Sequence, residues 1–322
     1  VQATKSTSFM GDFVYTHEGK LETMRVFYGV DENGTRERLE ALNGPPREIL
    51  KINGEVDCFF PQSASIRYDR RLKNPVESFS PETIDHLEQS YTIRALGKDR
   101  IAGRPAYRVG IVPKFPDRYG FWIWLDVETG LLLKMSMTDK RRQPLEQFMF
   151  VDITIVDEVP ATLFISEGSN QRDQNTQNQV QALNQNEPPA ENPVPTLDVS
   201  HDEAQLKETG EVSTSDWNVR NLPEGFRLQH HQRQARENAP QKQFEHMLFT
   251  DGLATISVYL EPLGDDKAYL GRSQIGAVSA FGRVVAGHQV MVVGEVPVET
   301  VVYVGKSIQF LKDSSAKKKS AD

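Results

Sequence analysis

The feature that most limits the fold of this 322-residue chain is a block that cannot build a core. Between Asn170 and Asn186, eleven of seventeen residues are Gln or Asn, and none is aromatic. A Pro-, Glu- and Asn-rich stretch follows at Glu187–Pro195, and then an acidic polar one to about Glu211. Such sequence buries too little apolar surface to offset its ordering entropy. We read 167–211 as a flexible linker. The chain must then build one core on each side of it, and its length agrees, since a domain usually takes about 100–200 residues. The expected division is a first domain over 1–166, the linker, a small second domain over 212–312, and a basic tail over 313–322 carrying Lys317-Lys318-Lys319.

On the N-terminal side, period-2 alternation and turn residues predict strands in meander order. In Ser8–Thr16, Phe9, Gly11, Phe13 and Tyr15 fall on one face, and Met10, Asp12, Val14 and Thr16 on the other. Leu21–Tyr28, the charged Thr35–Leu42, Glu48–Ile52 and Val56–Phe60 follow, with hairpin turns at Asn33-Gly34 and Asn53-Gly54. Ser80-Pro81-Glu82 predicts the start of a short helix with Ile84, Leu87 and Tyr91 on its apolar side. Strands resume at Ala106–Val112, Tyr119–Asp126, Leu131–Asp139 and Leu145–Val156. Short turns between such strands imply an antiparallel sheet, and its aromatic load lets it curl around a helix or a cavity. Periodicity leaves a filled and a hollow interior both open.

Beyond the linker, Met247–Phe249 and Leu253–Leu260 flank Thr250-Asp251-Gly252, and Ala277–Val285 and Gln289–Val293 flank Ala286-Gly287. Pro297 opens a helix carrying Val301, Val304, Ile308 and Leu311 at helical spacing. The fold class is therefore α+β.

Several function classes are disfavoured. With 37 basic and 45 acidic residues the net charge is −8, a poor basis for general nucleic-acid binding. The single cysteine, Cys58, makes neither an internal disulfide nor a zinc site by itself, and beside Val56 and Phe59 it reads as an inert buried thiol. No run of about 18 apolar residues is present to span a membrane as a helix. Strand-like sequence begins soon after Val1, as in a chain whose leader has been removed. No nucleophile elbow, zinc-binding His-Glu pair, Walker loop or dinucleotide glycine pattern occurs. Adjacent His230 and His231 would point to opposite faces of a strand, and Gln232, Arg233 and Arg236 suggest a solvated loop there. We expect no catalytic residue, no metal and no cofactor. Two basic clusters, Arg67, Arg70, Arg71 and Lys73 around Tyr68, and Lys140, Arg141 and Arg142, read as solubilising loops or as phosphate contacts at a cavity mouth.

An ordered set of segments points further. Gly44-Pro45-Pro46-Arg47-Glu48, Trp122-Ile123-Trp124-Leu125-Asp126 with Glu128-Thr129, and Leu145-Glu146-Gln147-Phe148 lie in the first half. Trp217, Leu222–Phe226, Thr250-Asp251-Gly252 and Gly294-Glu295-Val296-Pro297 lie in the second. Over 8–165 and 212–311 the chain resembles the RseB/MucB family of regulators of the sigma-E envelope stress response. The resemblance implies a first domain like LolA and LppX, a half-open curved antiparallel sheet with plugging helices, and a smaller α+β second domain. It implies a periplasmic location and a non-enzymatic role. The expected partner is the periplasmic part of a membrane-anchored anti-sigma factor, RseA or MucA, shielded from the site-1 protease and released by lipid or lipopolysaccharide. Nucleic acid is not an expected partner, and self-association is left open.

Two sets of contact residues follow as expectations. Phe27, Trp122, Trp124 and Phe148 would line an acyl-chain site, with Arg70 and Arg71 at its mouth. Alternation puts Trp122 and Trp124 on one side of their strand and Ile123 on the other. Trp217, Phe226, Phe249 and Tyr259 would anchor the partner, with core packing an equal alternative for each. The rival reading is a LolA-type lipid or lipoprotein carrier with no signalling role.

Overall fold

The computed structural model describes residues 6–53, 55–59, 87–165, 215–236, 239–264 and 267–311. The expected linker, the basic tail, Arg70, Arg71 and the helix start at Ser80 lie outside the described residues. The first sheet has ten antiparallel strands: β1 (Ser8–His17), β2 (Lys20–Asp31), β3 (Gly34–Ala41), β4 (Glu48–Ile52), β5 (Glu55–Phe59), β6 (Tyr91–Ile101), β7 (Arg104–Pro113), β8 (Gly120–Asp126), β9 (Leu132–Thr138) and β10 (Pro144–Val156). Their spatial order is β5-β4-β3-β2-β1-β10-β9-β8-β7-β6, so pairing of β1 with β10 joins two meanders. The sheet is open at β5 and β6, yet β6 comes back into contact with β10, so this half is strongly rolled.

Turn chemistry sets the registers. Gly34 takes φ 117°, and a side chain there would collide with Asn53. Asn53 itself takes φ 51° and uses its amide across the neighbouring turn, accepting from Thr35 N at 2.9 Å and donating to Asn33 O at 3.1 Å. One Asn thus ties two hairpins together. On β1, Phe9 and Phe13 interlock with β10 edge to face: Phe9 with Phe150 at 5.9 Å, Phe13 with Phe148 at 5.6 Å and with Phe150 at 5.8 Å. The opposite side of the sheet is covered near β2 and β4 by the 3₁₀ turn Ala161–Phe164, whose Phe164 packs with Val159, Leu50 and Phe27.

The second domain carries a six-stranded sheet in the order β12-β13-β14-β17-β16-β15. Its strands are β12 (Arg227–Arg236), β13 (Ala239–Thr250), β14 (Thr255–Pro262), β15 (Gly271–Ile275), β16 (Val278–Val285) and β17 (His288–Gly294). β11 (Trp217–Val219) pairs with β18 (Ile308–Phe310). Of the helices, α1 (Leu87–Ser90) precedes β6, and α2 (Val298–Ser307) packs on β15, β16 and β17. The core gathers Ile256, Val258, Val290, Val292, Val301 and Val304.

The structure corrects the sequence reading at three places. The stretch around His230 and His231 is a strand, not a solvated loop. His231 and Arg233 both reach the buried Glu245 (2.7 and 3.1 Å), so these two polar side chains of β12 find a partner on the neighbouring strand. The helix after Pro297 stops at Ser307: Ile308 is buried but belongs to β18, and Leu311 lies beyond the helix, 48% exposed. Pairing with Trp217–Val219 wins over another helical turn. Finally β6 was not anticipated, because its bulge at Leu96 and Gly97 (φ 92°) breaks the alternation.

Gly305 lets α2 lie flat, since a Cβ there would sit 2.4 Å from the Phe281 ring. Gly305→Leu is expected to destabilise the second domain by about 1–3 kcal/mol through overpacking, despite its better helix propensity. Urea unfolding of the two proteins checks this.

Candidate functional site

The expected acyl-chain residues do not form one wall. On β8, Trp122 sits between Gly110 and Ser136, and Trp124 between Arg108 and Lys134. Trp124 donates to Asp99 at 2.9 Å, and Lys134 lies 4.6 Å over its ring. That bond, aided by Arg100 N, holds the Asp99 carboxyl below its ordinary range. Phe148 is on the other face, because it sits opposite Tyr15 and Met135, and Met135 sits opposite Ile123. Phe27 shares the tryptophans' side, but three strands lie between them, and it packs under Arg38 and beside Phe164. The aromatic face that Phe148 shares is continued by Ile123, Met135 and Met24. Alternation along β8 did separate Ile123 from the tryptophans; the local sequence held no sign of which side faces Phe13 and Phe148.

Among the expected partner anchors, Trp217, Phe226 and Phe249 are core residues, exposed by only 7%, 8% and 4%. They pack with Ile256, Val258 and Val304, so they are not an open docking surface. Tyr259 alone lies half-buried on the opposite face of the sheet, stacked on His246 at 4.4 Å.

Phe226 leads instead to a site that no expectation covered, the junction of the domains. Turns at one end of the second sheet meet one end of the first. At the centre lies Arg118, whose side chain and that of Asp251 are each 0% exposed. Its guanidinium donates to Asp251 Oδ2 at 2.5 Å, to Glu224 O at 2.6 Å and to Asp117 Oδ1 at 2.6 Å. The rings of Phe226, Phe115 and Tyr91 lie around it at 4.9, 5.5 and 5.8 Å. Asp251 is oriented by its own turn, where Oδ1 accepts from Leu253 N and Ala254 N.

Around this pair the two domains approach closely. Thr300, in the first turn of α2, donates to Asp117 O at 2.8 Å, and Gln274 reaches the Tyr119 hydroxyl at 3.3 Å. Gly225, at φ 85°, lies against Ser90, and Gly276 against Glu18. Ala277, wholly buried, and Leu253 join the first domain's hydrophobic cluster. Burial pushes the Tyr119 phenol up to about 12, against the lowering effect of Ser279 beside it. Burial, with Asp251 alongside, raises the Tyr91 phenol as well. Among the described residues no group of three or more His, Cys, Asp or Glu could hold a metal, and no helix is long and apolar enough to cross a membrane.

The comparisons with known proteins bear on the same residues. The MucB/RseB N-terminal domain family matches residues 1–168, and the MucB/RseB C-terminal domain family matches residues 211–309. The chain belongs to the MucB/RseB family. It is 30% identical over 313 residues to the sigma factor AlgU regulatory protein MucB of Pseudomonas aeruginosa, covering 96% of this chain and 88% of that one. It is 26% identical over 313 residues to the sigma-E factor regulatory protein RseB of Haemophilus influenzae, with the same coverage of 96% and 88%. Two solved structures are similar over 97% of this chain and 96% of theirs. One is MucB in complex with MucA(peri), 26% identical with TM-score 0.68; the other is the Pseudomonas aeruginosa MucA/MucB complex, 27% identical with TM-score 0.70.

Segments that carried the MucB/RseB resemblance have structural work to do here. Leu222–Phe226 and Thr250-Asp251-Gly252 supply Glu224 O, Phe226 and Asp251 to the junction. Asp126 is buried under Arg104 and caps the turn through Glu128 N and Thr129 N. Arg47 pairs with Glu22, and Glu48 with Arg38.

The phenol of Tyr119 predicts alkaline behaviour. Its folded-state value lies above the ordinary 10.0, so its contribution is fully present below about pH 10 and is lost as pH rises towards 12. Denaturant unfolding across that range should show falling stability, and Tyr119→Phe should make the fall shallower, with Tyr91 sustaining the remainder.

Proposed function

We propose that this chain is a periplasmic negative regulator of a sigma-E-type stress response, which binds the periplasmic segment of a membrane-anchored anti-sigma factor and shields it from site-1 proteolysis. One observation carries the reading: the likeness to MucB solved with MucA(peri) runs through both domains and nearly the whole of each chain. A carrier of lipid or lipoprotein would account for an open curved sheet alone and would leave the second domain without a role. The chemistry required is capture, not catalysis. An extended or helical segment must gain enough from side-chain burial and backbone pairing to offset its own ordering. The described sheets offer such pairing at their outer strands β5, β6, β12 and β15.

Release by lipid belongs to the same proposal. The aromatic face shared by Phe13, Phe148 and Ile123 is packed into the first domain's core, so an acyl chain that enters must displace that packing, and it gains roughly 0.8 kcal/mol per methylene it buries. Lipid and partner then compete, and their coupling must be reciprocal.

Calorimetric titration with the soluble periplasmic segment of the cognate anti-sigma factor tests both parts. The expected result is saturable binding that lipopolysaccharide weakens by at least about tenfold, a coupling of roughly 1.4 kcal/mol. Lipid binding without any peptide binding would instead support the carrier.

A further inference from the structure

The geometry points to Arg118 as a positioning residue: we propose that its buried guanidinium fixes the second domain on the first, so that the partner is bound by one rigid two-domain body. The proposal rests on the anti-sigma-factor reading for what is bound, and on the junction alone for the rigid body.

Three observations carry it. First, the contact is directional. The guanidinium is a planar fork with fixed donor directions. Here one fork is shared between its own domain and the other, with Nε on Asp117, Nη1 on Asp251 and Nη2 on Glu224 O. Rotating either domain breaks at least one of the three bonds. A compact ammonium would hold the charge without holding the angle.

Second, an ion pair is a poor device for stability alone. Apolar residues of similar volume stabilise a dry interface about as well, whereas a lone buried charge is strongly destabilising. A fully buried Arg118–Asp251 pair, ringed by Phe226, Phe115 and Tyr91, therefore selects one arrangement against all others.

Third, small residues let the domains approach closely around the pair. Gly225, Gly276 and Ala277 present almost no side chain where they meet Ser90, Glu18 and the first domain's cluster. A Cβ built on Gly225 lies 3.6 Å from the Ser90 Cβ, which is within disulfide reach.

That last distance supplies the test. In a full-length Cys58→Ser background, four proteins are compared: the parent, the parent with Ser90→Cys and Gly225→Cys, Arg118→Met, and Arg118→Met with both cysteines; the second reads what a side chain at Gly225, strained at φ 85°, costs by itself. Each is scanned by calorimetry and titrated with the soluble periplasmic segment of the cognate anti-sigma factor, oxidised and reduced. The parent should unfold in one transition. Arg118→Met should unfold in two, showing that both domains still fold, and should bind at least about tenfold more weakly. The oxidised cross-link should restore one transition and most of the affinity, and reductant should undo both. Arg118→Lys should behave like a milder Arg118→Met, because charge without the fork is insufficient. One transition and parental affinity in Arg118→Met would overturn the proposal, as would a restored single transition without restored binding. If the parent itself does not bind the segment, the anti-sigma-factor reading fails, and the number of transitions alone decides for or against the rigid body.

Discussion

A guanidinium removed from water must satisfy its donors or leave a charge stranded, and Arg118 does so only when two domains meet. Its acceptors come from Asp117 beside it in sequence, from Asp251 and from the carbonyl of Glu224. Much of the junction can be read as service to that requirement. The turn at Thr250-Asp251-Gly252 spends one carboxylate oxygen on its own backbone and keeps the other for Arg118. Gly225 takes a left-handed φ of 85°, which brings Phe226 and Glu224 O onto the cation. Tyr91, at the first position of β6, closes the site from the other side.

The two sheets are organised so that their ends, rather than their faces, do this work. Loops and strand ends of the first domain, around residues 17–18, 90–91 and 115–120, meet the turns at 223–226, 251–254 and 275–277 and the start of α2. The faces remain committed elsewhere. The first sheet uses one face for its aromatic cluster and part of the other for the cover around Phe164. The second uses one face for α2 and its aliphatic core. Under the proposal above, a small polar contact gives the two-domain body a fixed geometry without drawing on either apolar face.

Much of the fold was legible locally. The Asn-Gly turns, the β1 alternation and the helix start at Pro297 depend on neighbours in sequence, and all appear where the residues place them. What failed to show were features settled by distant partners. β12 looks like a solvated loop until Glu245 is set beneath His231 and Arg233. Ile308 continues a helical pattern, yet β11 claims it. On β8, alternation grouped Trp122 with Trp124 and against Ile123, but the choice of face was decided by Met135 and Phe148 across two strand pairings. Trp217, Phe226 and Phe249 have the composition of binding anchors and the burial of a core. Asp251 was visible as a turn residue; its second oxygen, aimed at an arginine 133 positions earlier, was not.

As proposed, this two-domain body captures and shields an anti-sigma factor's periplasmic segment. The most direct measurement is the rate at which the site-1 protease cleaves that segment in a purified system with and without this protein. Cleavage should slow in proportion to the fraction of segment bound, and added lipopolysaccharide should restore it. Cleavage at an unchanged rate when the segment is saturated with this protein would contradict the proposal.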